Sequence, residues 1–83
     1  MVKVKLFATL AQIARKRMVE VEATTASELL EKLSQIYGEE FRKELEGGMI
    51  FLVNGINIEH LDGLNTPLKD GDTVSIFPPI GGG

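Results

Sequence analysis

The residues with the most distinctive chemical potential are the last six, Pro78-Pro79-Ile80-Gly81-Gly82-Gly83. The prolines favour an extended backbone, and the glycines leave no side chain near the carboxylate of Gly83. The four residues after Pro79 span roughly 13 Å when extended, which suits entry into a narrow channel of another protein. We therefore predict that the Gly83 carboxylate is the reactive group and that Gly81 and Gly82 provide clearance around it.

The other side chains offer no built-in active site. The chain has no cysteine, which excludes disulfides, thiolate zinc sites and a cysteine nucleophile. His60 is the only histidine and is expected to be a surface loop residue rather than a ligand. The carboxylates are scattered, and no serine lies in a nucleophile-elbow pattern. We expect neither a metal site nor a cofactor bound by this chain.

Composition limits the class of protein and its partners. A chain of 83 residues is enough for one domain. Residues 1–17 hold five basic and no acidic residues, which leaves twelve acidic against four basic in the remainder. The acidic body argues against nucleic acid and for a basic protein partner, although solubility alone explains it equally well. The longest apolar stretch, Met49 to Val53, is too short to span a membrane, and with no signal peptide pattern a cytoplasmic location is expected.

The first half of the chain predicts two strands and two helices. Residues 2–7 alternate apolar and polar and predict a strand, 8–16 a short helix, and 18–22 a second strand. Thr25 and Glu28 form a capping-box pattern that begins the main helix, which ends at Gly38. Its apolar stripe, which predicts the face turned to the core, consists of Leu29, Leu30, Leu33, Ile36 and Tyr37.

The second half predicts a short helix and three strands. Residues 39–46 form a charged helical turn stopped by Gly47 and Gly48, which are interpreted as a simple turn. Residues 49–53 suit a central strand, Asn54-Gly55 a hairpin into 56–58, and 69–72 a turn before the last strand, 73–77. This order predicts an α+β roll with a mixed sheet on one main helix, with a domain over 1–79 and a flexible tail over 80–83.

Two phenylalanines break the strand pattern. Phe7 shares its strand face with Lys3 and Lys5, and Phe77 shares its face with polar residues of the last strand. If the first and last strands are parallel neighbours, the two rings form one exposed patch at the root of the tail, which would mark a partner site. The alternative is that both rings fold over the edge of the core.

Four stretches together resemble a known family: residues 4–10 as VKLFATL, 51–55 as FLVNG, 68–74 as LKDGDTV, and the ending IFPPIGGG. In this order they are similar to the small subunit of molybdopterin synthase, also called molybdopterin-converting factor subunit one, within the ubiquitin-like sulfur-carrier group. The resemblance covers the whole chain. It departs at Gly81, where relatives often carry another small residue.

The resemblance implies a ubiquitin-like β-grasp whose Gly83 carboxylate is adenylated by an ATP-using enzyme of the ubiquitin-activating type. A sulfur donor protein then leaves a thiocarboxylate, which the large synthase subunit uses to build the dithiolene of molybdopterin. The resemblance also implies docking of the large subunit by apolar residues near the tail. The candidates for partner binding are Phe7, Leu64, Phe77, Pro78, Pro79 and Ile80.

Three other functions stay open from the sequence. A thiazole-pathway sulfur carrier would use the same terminal chemistry. A ubiquitin-like modifier would instead become attached to lysines of target proteins through Gly83. A binding module with an inert tail is the third alternative.

Overall fold

The computed structural model describes residues 1–79. The strands are β1 (Val2–Leu6), β2 (Met18–Val21), β3 (Ile50–Val53), β4 (Ile56–Asn57) and β5 (Thr73–Phe77). The helices are α1 (Thr9–Ala14), α2 (Ala26–Tyr37) and α3 (Glu39–Glu46). Two 3-10 turns, Ile58–His60 and Gly63–Asn65, lie between β4 and β5.

The strands form one mixed sheet in the order β2-β1-β5-β3-β4. β1 and β5 are parallel, and the other neighbouring pairs are antiparallel. The helices cover one face of this sheet, so strand residues alternate between buried and exposed, as in β1. The predicted α+β roll with a mixed sheet and one main helix is confirmed.

The main helix begins and ends as its sequence predicts. The Thr25 hydroxyl accepts a hydrogen bond from the Glu28 N–H at 3.1 Å. The Glu28 carboxylate in turn accepts from the N–H of Thr24, at 2.7 Å, which satisfies two donors at the helix start. The helix ends at Gly38, whose φ of +93° lies in the region that favours glycine.

The core lies between the inner sheet face and the helices. Leu29 and Leu33 of α2 are fully buried there, and so is Phe41 of α3. Burying an apolar side chain of this size stabilises a fold by roughly 1.5 to 3 kcal/mol. The core therefore explains why the charged segment 39–46 folds back onto the domain as a helix.

Two apolar residues differ from the predictions. Ile36, predicted on the buried stripe of α2, is 60% exposed because it borders an open groove beside the edge strand β2. Ile58, predicted at the end of a strand, is buried in a 3-10 turn because β4 stops after two residues.

Asn54 ties the β3–β4 hairpin to the beginning of β5. Its side-chain oxygen accepts from the Thr73 N–H at 2.9 Å, and its amide donates to the Asp72 carboxylate at 3.0 Å. The other Asp72 oxygen accepts from the Lys69 N–H at 2.8 Å. These hydrogen bonds hold the 69–72 turn in register with the sheet.

Among residues 1–79, no helix is long and apolar enough to cross a membrane.

Candidate docking site at the root of the tail

The parallel pairing of β1 with β5 brings the two predicted phenylalanines together. Leu6 lies opposite Ile76, so Phe7 and Phe77 follow on adjacent strands. Their ring centroids are 4.1 Å apart and their planes differ by 13°, which is a stacked arrangement. A stacked aromatic pair contributes about 0.5 to 1.5 kcal/mol beyond its buried area. The predicted juxtaposition of these rings is confirmed.

Both rings lie on the outer face of the sheet. Phe77 alternates with Ile76 and Val74, which are fully buried against the helices. Neither phenylalanine belongs to the buried core, and each is half-buried. The alternative in which the rings fold over the core edge is therefore wrong.

The sequence interpretation missed two further apolar residues on this face. Ile50 is paired directly with Phe77 and is 39% exposed, and Leu52 is paired with Ser75 and half-buried. We call Phe7, Ile50, Leu52 and Phe77 the outer patch. The structure supplies the missing information: the helices cover only one face of the sheet, so a continuous apolar strand must turn alternate residues outward.

Basic side chains border the outer patch on its β1 side. Lys5 lies opposite Ser75 on one side and Met18 on the other, with its side chain on the outer face. Lys5, Phe7, Met18 and Arg17 line a shallow hollow of about 430 Å³ beside the stacked rings. The surroundings of the patch thus suit a partner that carries acidic side chains next to apolar ones.

The root of the tail packs against the turn after α3. Pro78 is buried and Pro79 is exposed. A Cβ atom added to Gly47 would lie 3.2 Å from Cγ of Pro79, whereas a Cβ on Gly48 would meet nothing within 4 Å. Gly47 has a φ of −71°, which any residue adopts, while Gly48 has a φ of +115°. Gly48 thus provides the positive φ that the turn requires, and Gly47 leaves room for Pro79.

The remaining candidates lie apart from the patch or beyond the described residues. Leu64 is 50% exposed and borders a groove between α2 and α3, on the side of the sheet away from the stacked rings. The structure does not bring it together with Phe7 and Phe77. Ile80, the predicted clearance residues Gly81 and Gly82, and the predicted reactive residue Gly83 lie outside the described residues.

Titratable groups of the described residues form no catalytic constellation. His60 is exposed at the end of a 3-10 turn. Residues 1–79 contain no cluster of three histidine or carboxylate side chains that could hold a metal ion. Hydrogen bonds from Lys69 and Asn54 lower the pKa of Asp72, but this carboxyl precedes β5, at the opposite end of that strand from Phe77. The described residues can therefore present a surface to a partner.

Comparison with known proteins identifies the family of the chain. Residues 4–83 match the ThiS family. A protein of Archaeoglobus fulgidus, provisionally named a sulfur carrier protein, is 37% identical over 71 residues, which cover 78% of this chain and 81% of that protein.

Two solved structures have the same fold. The solution structure of small archaeal modifier protein 1 from Methanosarcina acetivorans has a TM-score of 0.83 and 33% identity, covering 99% of this chain and 95% of that one. A Pyrococcus furiosus structure, provisionally named molybdopterin converting factor subunit 1, has a TM-score of 0.79 and 30% identity, covering 95% and 97%. The fold is thus the ubiquitin-like β-grasp, and the chain belongs to the ThiS family of ubiquitin-like sulfur carriers.

Proposed function

We propose that this protein carries sulfur on the C-terminal carboxylate of Gly83 and donates it for dithiolene formation in molybdopterin biosynthesis. The observation that carries the proposal is the stacked pair of Phe7 and Phe77, because Phe77 ends the strand that precedes the glycine tail in the sequence. The similarity to the Pyrococcus furiosus protein supports the molybdopterin pathway in particular.

The proposed chemistry begins with activation of a poor acyl donor. A Gly83 carboxylate oxygen attacks the α-phosphorus of ATP on an activating enzyme, and pyrophosphate leaves. The sulfide delivered by a donor protein then attacks the carbonyl carbon of this mixed anhydride, and AMP leaves with the bonding electrons. The product is a thiocarboxylate, a sulfur nucleophile that needs no cysteine in this chain.

The division of work between head and tail follows from energetics. Ordering a flexible residue costs roughly 1 to 2 kcal/mol, and glycine buries almost no apolar surface in return. Burying one phenylalanine stabilises a complex by roughly 1.5 to 3 kcal/mol. The outer patch therefore supplies affinity for the partner, while Gly81 and Gly82 let the terminal carboxylate enter the partner's active site.

The proposal requires three protein partners. They are an activating enzyme that uses ATP, a sulfur donor protein, and the large subunit of molybdopterin synthase, whose active site receives the tail. ATP belongs to the activating enzyme, and the chain binds no cofactor of its own. The work takes place in the cytoplasm, where ATP is available.

A second candidate function is covalent modification of other proteins. The small archaeal modifier protein from Methanosarcina acetivorans, 33% identical over nearly the whole chain, favours it. In this case a lysine amine of a target protein attacks the activated Gly83 carbonyl, and an isopeptide bond replaces the bond to AMP. The activation step is shared, so the two functions differ only in the nucleophile.

One experiment separates the two functions. The protein is incubated with ATP, a sulfide source and cell extract, and then its intact mass is measured and larger conjugates are sought by immunoblot. Exchange of one oxygen for sulfur supports the carrier, and conjugates without this exchange support the modifier. The matched control lacks Gly81, Gly82 and Gly83 and should show neither change. If an extract with demonstrated activating activity leaves the protein unchanged, both proposals fail.

A second experiment addresses the pathway. The thiocarboxylated protein is mixed with purified large subunit of molybdopterin synthase and the cyclic pterin precursor. Formation of the dithiolene, detected by chromatography of the oxidised pterin, supports the molybdopterin function. A thiocarboxylate that supplies sulfur only to a purified thiazole synthase assigns the protein to the thiazole pathway instead.

A further inference from the structure

The edge strand β2 leaves backbone hydrogen-bonding groups free. The Leu6 N–H donates to the Arg17 carbonyl at 2.8 Å, which shows that Arg17 turns its backbone groups toward β1. In an antiparallel pair, every second residue does the same, so Val19 also faces β1. Met18 and Glu20 therefore direct their N–H and C=O groups away from the sheet.

Nothing in residues 1–79 covers this part of the edge. No hydrogen bond within the described residues reaches the backbone of Met18 or Glu20. The next outward carbonyl, that of Glu22, accepts from the Lys32 ammonium at 2.6 Å, so that end of the strand is closed. The opposite edge strand, β4, is only two residues long. β2 is thus the edge on which another strand can add.

A groove lined by both apolar and charged side chains runs beside the free edge. It measures about 380 Å³ and lies between Val19 of β2 and the last turn of α2, where Ile36 and Tyr37 line it. Ile36 is 60% exposed and Met18 is 54% exposed, so two large apolar side chains are accessible at this groove. An extended chain on β2 would turn alternate side chains into this groove. Strand addition requires free backbone hydrogen-bonding groups on the edge strand and space for the alternate side chains of the added strand.

The charges around the groove indicate the sign of the charge that its occupant carries. Lys3 and Lys16 line it together with one acidic side chain, Glu20. Arg17 lies next to Lys16, so positive charge is concentrated at the end of the edge where β2 begins. Carboxylates placed beyond Met18 would meet these two cations, whereas a basic segment would be repelled.

We propose that β2 binds an extended segment of another protein by antiparallel strand addition. The segment carries apolar side chains at alternate positions, which enter the groove beside Val19 and Ile36. Because it runs antiparallel, its carboxyl-terminal end lies beyond Met18, and there it carries acidic residues next to Lys16 and Arg17. This site uses neither Gly83 nor the stacked rings, so the proposal does not depend on the sulfur-carrier function.

The test is a titration of the ¹⁵N-labelled full chain with a synthetic peptide, followed by NMR. The peptide alternates threonine and valine over five residues and ends in two aspartates, with both termini blocked. We expect shifts of the Met18 and Glu20 amides and slower hydrogen exchange there. Ile36→Lys should weaken binding at least tenfold. Ile56→Lys, which alters another exposed isoleucine on the far edge, should leave it unchanged.

Three results would overturn the inference. The first is the absence of shifts at Met18 and Glu20 with millimolar peptide. The second is equal binding of a peptide whose edge-facing amides are N-methylated, since strand addition requires those donors. The third is a dimer, detected by light scattering, that Glu20→Pro dissolves and that excludes the peptide, because the edge would then serve a second copy of this chain. Weaker binding of a peptide that ends in two lysines would support acidic residues at the carboxyl-terminal end of the segment.

Discussion

Phe77 connects the outer patch to the tail through its own strand. Its ring stacks on Phe7 and its backbone pairs with Ile50, so it lies at the centre of the exposed apolar surface. We predict that Phe77→Asp weakens binding of the activating enzyme at least tenfold, because a carboxylate replaces the buried apolar contact. Isothermal titration calorimetry with the purified enzyme measures this directly.

The head should survive the same substitution, since Phe77 is only half-buried and the core remains intact. Loss of the stack should cost about 0.5 to 1.5 kcal/mol of folding free energy, visible as a modest fall in Tm. Ile56→Asp is the matched control, because it adds the same charge to an exposed site outside the patch. An unchanged affinity for the Phe77 variant would contradict the docking role of the patch.

Gly47 controls the space into which the root of the tail packs. An alanine there would bring Cβ to 3.2 Å from Pro79, which must then shift, while the backbone at φ −71° accepts alanine without strain. We predict that Gly47→Ala keeps or slightly raises Tm, by reducing the entropy of the unfolded chain. The same variant should slow adenylation of Gly83, measured as pyrophosphate release at low protein concentration.

Gly48→Ala provides the opposite control. At φ +115° alanine is strained, and no atom lies near the added Cβ, so stability should fall by about 1 kcal/mol or more while adenylation of the folded protein stays normal. Equal adenylation rates for the wild type and the Gly47 variant would show that the contact with Pro79 does not position the tail.

At the scale of elements, the alternation of residues was the most informative part of the sequence. It placed Phe7 and Phe77 on the outer face correctly because each strand has clear polar neighbours on that face. It failed for β3, whose residues are all apolar, so Ile50 and Leu52 could be assigned only once the helices were known to cover one face. Helical periodicity failed similarly at Ile36, because a stripe does not show where the sheet beneath it ends.

The turn before β5 should make stability depend on pH at the acid end. Hydrogen bonds from the Lys69 backbone and the Asn54 side chain lower the pKa of Asp72 below its ordinary value of 3.8. A lowered folded-state pKa contributes stability above the unfolded value and loses it as the pH falls through the folded value. We therefore predict that Asp72→Asn lowers Tm at pH 7. The Tm difference between this variant and the wild type should shrink below pH 3.8.

Thermal unfolding followed by circular dichroism from pH 2 to 7 measures this dependence. Glu46→Gln removes an exposed carboxylate on α3 and is the control for loss of one negative charge. A Tm difference for the Asp72 variant that stays constant over the whole range would show that the hydrogen-bonded carboxylate does not act through its ionisation.

At the scale of the whole molecule, the order of helices, hairpin and strands predicted an α+β roll, because that order has few alternative packings. The resemblance to the sulfur-carrier group then implied that this roll is a β-grasp. The reactive end, Gly83, stays a prediction from residue type. The free edge of β2 could not be predicted, because which strands lie at the edges depends on the parallel pairing of β1 with β5, a contact between the two ends of the chain. Long-range pairing of this kind leaves little local signal.

The proposed assignment of affinity to the outer patch and of chemistry to the tail yields a prediction for the molecule as a whole. Pro78 is the last buried residue among those that the structure describes, so a chain truncated after Pro79 should fold with an unchanged Tm. It should also inhibit adenylation of the full-length protein competitively, with an inhibition constant within about tenfold of the KM, because it retains the outer patch. The same truncation combined with Phe77→Asp should lose this inhibition. Steady-state pyrophosphate release distinguishes the outcomes: if the truncated head does not compete, affinity resides in the tail, and the proposed division of work is wrong.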